Sequence, residues 1–193
     1  FDAVLYATGR KANTANIGLE HTNITTNERG AIVVNDTCES SVPGVYAVGD
    51  VNGGPQFTYI SLDDFRIVFG ALTGNGQYTL KDRKNIPYTT FLTPPLARVG
   101  LTEEDAINKG YTVKTKEMLV ATMPRAHVND YLKGAFKIVV NVDNDLILGA
   151  TLYSQGAEEL INLIKMAMDN NIPYTYFKNQ IFTHPTMAEN LND

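Results

Sequence analysis

Apolar residues in this chain recur with two periods, and the changes of period mark the elements. Residues 1–7 (FDAVLYA) predict a buried strand over about 2–7 that runs straight into Thr8-Gly9-Arg10. A chain seldom opens in mid-strand, so the sequence is expected to be a piece of a longer protein. Residues 31–34 (AIVV) predict a short strand, and residues 45–48 (VYAV) another that follows the Pro43-Gly44 turn and ends at Gly49-Asp50. From Thr58 to Leu72 the period becomes helical, with Ile60, Leu62, Phe65, Val68, Phe69 and Leu72 spaced three or four apart. Gly74, Gly76 and the charged residues 81–84 then read as a linker. That places a domain boundary near Pro87, dividing the chain into 1–86 and 87–193.

The second part reads as α+β. A strand is predicted at 97–101 (ARVGL), then a short helix with Thr102 as its cap, an acidic first turn and Gly110 beyond its end. Another strand is expected at 111–122. Residues 134–142 and 146–153 flank Asp143-Asn144-Asp145, which predicts an antiparallel hairpin. The clearest helix runs from Ala157 to about Met168, with Ala157, Leu160, Ile161, Ile164, Ala167 and Met168 on one face. Asn170-Asn171 and Pro173 stop it. A last helical turn follows Pro185.

Composition narrows the function classes. Sixteen basic against twenty-one acidic residues give a net charge of −5, which argues against a nucleic-acid or anionic-membrane surface. The single cysteine, Cys38, excludes an internal disulfide framework and any cysteine-rich metal site. No apolar run approaches the ~20 residues of a membrane span, so a cytoplasmic location is expected.

Three constellations carry candidate chemistry, each with a structural reading beside it. Asp50, at the carboxyl end of a strand, can accept hydrogen bonds from ligand hydroxyls, with Gly49 allowing close approach; it can equally start a turn. Ala7-Thr8-Gly9-Arg10 can hold a pyrophosphate or simply leave a strand. In Thr183-His184-Pro185-Thr186-Met187-Ala188-Glu189, a carboxylate on one imidazole nitrogen would select the tautomer of a general acid–base. Thr186-x-x-Glu189 is also a capping box, which needs no catalysis. His21 and His127 read as surface histidines, and Cys38 as a buried, inert thiol.

The order and content of four motifs resemble the carboxyl-terminal part of the class I pyridine nucleotide-disulfide oxidoreductases, the family of glutathione reductase, dihydrolipoamide dehydrogenase and mercuric reductase. They are Ala7-Thr8-Gly9-Arg10, residues 44–50 (GVYAVGD), residues 94–103 (PPLARVGLTE) and residues 182–189 (FTHPTMAE). Residues 56–64 (QFTYISLDD) and the ending 189–193 (ENLND) resemble a bacterial branch that resists reactive chlorine species and reduces hypothiocyanous acid.

The resemblance implies the end of a nucleotide-binding α/β region over 1–86, followed at 87–193 by the dimerisation domain of flavoprotein disulfide reductases, an antiparallel sheet with helices. It implies that Gly9 lies where the nicotinamide nucleotide passes and that Asp50 binds the ribityl chain of FAD. Gln56, Phe57, Thr58 and Tyr59 would run beside the flavin ring. In a homodimer, His184 would be the acid–base at the partner's disulfide, with Glu189 orienting it. The whole protein would use FAD and NAD(P)H to reduce a small oxidant or disulfide. The redox cysteine pair lies outside these residues, so the 193-residue chain is expected to be inactive and to bind no cofactor. The alternative is a non-catalytic dimerisation module of the same fold.

Overall fold

The computed structural model describes residues 1–193 and divides them into two units, 1–83 and 84–193. In the first unit the long element is α1, Thr58–Thr73. Gly74, left-handed at φ 70°, follows its end, a conformation that glycine adopts without a Cβ penalty. The helix presents Ile60, Asp64 and Ile67 inward, while Leu62, Phe65, Phe69 and Leu72 of the apolar stripe face outward. Ala31, Ile32, Cys38 and Ala47 are the other buried apolar residues of this unit.

Three predicted strands are not formed. Residues 2–7 are exposed and belong to no ladder, because no segment pairs with them to take up their backbone groups. Residues 31–34 and 45–48 contribute only isolated bridges, Thr26 to Ile32, Val34 to Ser40 and Glu39 to Tyr46. Turns at Asn27, Asn35 and Gly44 reverse the chain before a ladder can lengthen. The Asn35 Oδ1 atom, for example, accepts from the backbone N–H groups of Thr37 and Glu39.

The second unit is a five-stranded antiparallel sheet in the order β1-β2-β5-β4-β3. Its strands are β1 (Tyr88–Thr90), β2 (Leu96–Gly100), β3 (Val113–Leu119), β4 (Ala135–Asn141) and β5 (Ile147–Tyr153). The hairpin β4–β5 pairs Phe136 with Leu152 and Ile138 with Ala150, so one face carries Ala97, Val99, Phe136, Ala150 and Leu152. Helix α4 (Ala157–Asp169) closes that face with Leu160, Ile161, Ile164 and Ala167. Short helices α2 (Glu103–Asn108), α3 (Pro124–Val128) and α5 (Tyr174–Asn179) complete the unit.

Strand β3 is shorter than the 111–122 expected, because residues 120–122 turn into a 3-10 helix. Thr102 caps α2 as its sequence predicts, its hydroxyl oxygen accepting from Asp105 N at 3.0 Å. Gly149 is required by packing: a Cβ there would lie 2.0 Å from the Leu101 carbonyl oxygen.

Candidate functional site

His184 and Glu189 meet in the second unit. Residues 186–192 turn back on themselves, and the ring Nδ1 of His184 lies 2.7 Å from Glu189 Oε2. An ionised carboxylate only accepts, so Nδ1–H donates and the neutral ring keeps its lone pair on Nε2. The imidazole side chain is 67% exposed and the carboxylate 17%, so the ring stands out from the surface on a held-in anchor. The other carboxylate oxygen, Oε1, accepts from Thr186 N at 2.9 Å, while Thr186 Oγ1 accepts from Glu189 N at 3.2 Å. The capping box is therefore formed as well. One carboxylate both closes the turn and fixes the ring. The hydrogen bond from His184, and then that from Thr186 N, hold the Glu189 carboxyl below the ordinary glutamate range.

The first unit holds the remaining candidates. Asp50 lies in the 3-10 turn Gly49–Asn52, with an exposed carboxylate 3.6 Å from the Arg10 guanidinium. Gly49 adopts φ 71°, and a Cβ at this position would approach Ser61 Oγ to 2.6 Å. Gly9 is also left-handed, at φ 93°, on an exposed segment. Gln56 precedes α1, Phe57 is its N-cap residue without a side-chain cap, and Thr58 begins the helix. The rings of Phe57 and Tyr59 stack at 5.1 Å between centroids. Gly9, Asp50 and Gln56 to Tyr59 thus share the first unit, and the His184–Glu189 pair belongs to the second.

Sequence reasoning missed the group that holds the Asp50 turn. Asp64 is fully buried on α1, and its Oδ2 accepts from Gly49 N at 2.7 Å and from Asn52 Nδ2 at 2.9 Å. Arg83 Nη2 pairs with Asp64 Oδ1, and Arg83 Nε with Asp63 Oδ2 at 2.7 Å. The signal available was Asp64 at i+4 from Ile60 and i−3 from Ile67, a carboxylate in the buried stripe of a helix. Cys38 is also fully buried, and burial pushes its thiol up to about 11. His127 Nε2 lies 2.8 Å from the Ala121 carbonyl oxygen, and His21 lies 3.6 Å from Glu20. No group of three or more metal-ligating side chains assembles, and no helix is long and apolar enough to cross a membrane.

Comparison with known proteins follows this division. Residues 86–193 match the family described as "Pyridine nucleotide-disulphide oxidoreductase, dimerisation domain", and residues 1–64 match "Pyridine nucleotide-disulphide oxidoreductase". Among curated relatives, "Probable pyridine nucleotide-disulfide oxidoreductase RclA" of Escherichia coli is 47% identical over 192 residues, 100% of this chain and 44% of that protein. A mercuric reductase of Staphylococcus aureus is 36% identical over 190 residues, 98% of this chain and 35% of its own length. The solved structure of "HOCl-induced flavoprotein disulfide reductase RclA from Escherichia coli" superposes with a TM-score of 0.94 at 46% identity, over 97% of this chain and 43% of that one. The chain therefore spans less than half the length of these relatives.

Proposed function

The chain belongs to the pyridine nucleotide-disulphide oxidoreductases, and from that premise we propose that it is the carboxyl-terminal part of an FAD-dependent NAD(P)H oxidoreductase acting on a small oxidant or disulfide. In this reading residues 1–86 complete the nucleotide-binding region and residues 87–193 form the homodimer interface. Asp50 holds the ribityl chain of FAD, and Gly9 lies beside the path of the nicotinamide nucleotide. Gln56, Phe57, Thr58 and Tyr59 border the flavin ring. The residues present suit that group. Asp50 offers an exposed acceptor for hydroxyls, and α1 begins without a side-chain cap, leaving its positive dipole end for an electron-rich ring. Bound FAD would take a hydride from NAD(P)H and pass two electrons to a disulfide outside these 193 residues.

The observation that carries the reading is the 2.7 Å bond from His184 to Glu189 on an exposed turn of the dimerisation domain. It leaves Nε2 facing out, where it can give a proton to a departing thiolate or remove one from an attacking thiol. In the homodimer His184 serves the partner's disulfide, with Glu189 as its positioning residue. The alternative, a dimerisation module without catalysis, is favoured by one observation: the Thr186–Glu189 cap accounts for Glu189 by itself.

The full-length protein separates the two. It should purify with the yellow flavin absorption, and anaerobic NAD(P)H should bleach it. A colourless full-length protein that NAD(P)H leaves unchanged would leave only the dimerisation module.

A further inference from the structure

A cavity of about 270 Å³ opens in the second unit between strands β3 and β4, helix α5 and the closing turn Ala188–Asn192. Its floor is apolar: Phe136, Ile138, Val140, Ile164, Phe177 and Leu191. Its rim is cationic, with Lys114, Lys116 and Lys178 against one acidic residue, Asp193. The register of the β3–β4 ladder explains the layering, since Lys114 stands opposite Val140 and Lys116 opposite Ile138. Each lysine stem thus continues the apolar wall, and its ammonium reaches the mouth.

The three lysines are not equivalent. Lys114 is committed: its Nζ lies 2.9 Å from Asp145 Oδ1 and 3.0 Å from Tyr174 OH, over the Tyr174 ring. The ammonium groups of Lys116 and Lys178 have no ion-pair or hydrogen-bond partner within the chain, and both residues are exposed. An inorganic anion would satisfy these cations and leave the floor wet, whereas a neutral apolar molecule would cover the floor and leave them unused. The volume lies just below the ~300–1,000 Å³ of ordinary small-molecule sites, too small for a dinucleotide or a long acyl chain.

We propose that this cavity binds a small amphipathic carboxylate, a medium-chain aliphatic or arylalkyl acid, with its head group at Lys116 and Lys178 and its body over Phe136 and Ile138. The cavity is lined by residues of the second unit, whereas the candidate flavin residues belong to the first. One wall is nevertheless the turn that carries Glu189, because Asn190, which lines the cavity, donates to Thr186 O at 3.2 Å and to Met187 O at 3.0 Å.

Calorimetric titration of the full chain with octanoate, 1-octanol and inorganic phosphate tests the assignment without reference to enzymatic turnover. Octanoate should bind once per chain, with octanol about tenfold weaker and phosphate giving no saturable heat. The double variant Lys116→Gln, Lys178→Gln alters only exposed side chains. It should bring octanoate down to the octanol level and leave octanol unchanged. Absence of saturable octanoate binding, equal binding of the alcohol, or undiminished octanoate affinity in the double variant would each overturn the proposal.

Discussion

Burying a carboxylate such as that of Asp64 is tolerable only when every lone pair facing the protein finds a donor. Here Gly49 N, Asn52 Nδ2 and the Arg83 guanidinium supply them. Removing the acid leaves the Gly49 N–H without its partner and the largely buried Arg83 guanidinium with Asp63 alone. Asp64→Ala should therefore cost about 3 kcal/mol or more in urea unfolding, and Asp64→Asn distinctly less, because an amide oxygen still accepts from Gly49. A loss near zero would mean that solvent, not Asp64, satisfies the turn.

Burial of the Cys38 thiol makes stability depend on pH in the alkaline range. Its thiol titrates at about 11 against an ordinary 9.0, because burial penalises the thiolate. A raised folded value means that its contribution is complete below pH 9 and lost as pH rises toward 11. Thermal melting of wild type should fall across that window more steeply than that of Cys38→Ser. Iodoacetamide should modify Cys38 slowly at pH 8 and rapidly once urea unfolds the chain; rapid labelling of the native protein would contradict the burial.

At the scale of elements, legibility followed the length and periodicity of each segment. Helix α4 was readable because thirteen residues repeat one apolar face, and β4 and β5 because seven-residue strands flank a turn rich in Asp and Asn. Strand β1 has three residues and α5 six, too few for either period to register. Residues 31–34 and 45–48 have strand composition but form only single bridges, since a β-branched run specifies extension and not a neighbour. The stripe that predicts helix α1 is left mostly exposed by the first unit, with Ile60 alone buried, and the helix's buried side contains Asp64. The Glu189 cap was legible from spacing, whereas Asp64 was not, because hydrophobic patterning gives no weight to a buried acid.

Two substitutions test this level. Thr102→Ala should cost about 1 kcal/mol by removing the cap of α2. Gly149→Ala should be far more damaging, because its Cβ would be driven into the Leu101 carbonyl at 2.0 Å. Chemical denaturation of both variants checks the ranking, and a mild Gly149→Ala would show that β5 can shift to make room.

For the whole molecule, residues 86–193 match the family's dimerisation domain, and the proposed function puts a homodimer interface there. There Phe91, Met166 and Ile181 are 79%, 59% and 95% exposed in the single chain. Apolar side chains so exposed are expected to be covered in an assembly. Sedimentation over increasing concentration should show a reversible dimer, and a monomer at every concentration would contradict that role.

The proposed roles of His184 as the acid–base and Glu189 as its positioning residue can be decided with His184→Gln in the full-length protein. Steady-state turnover and anaerobic stopped-flow bleaching of the flavin by NAD(P)H are compared with wild type. Turnover should fall by about 10²–10⁴-fold, with the bleaching rate close to wild type because that step does not use the imidazole. Glu189→Gln should lose less turnover and alter its pH profile, a change that a purely structural cap would not produce. Full turnover in His184→Gln, with a normal pH profile in Glu189→Gln, would contradict these roles and leave the pair as a helix cap.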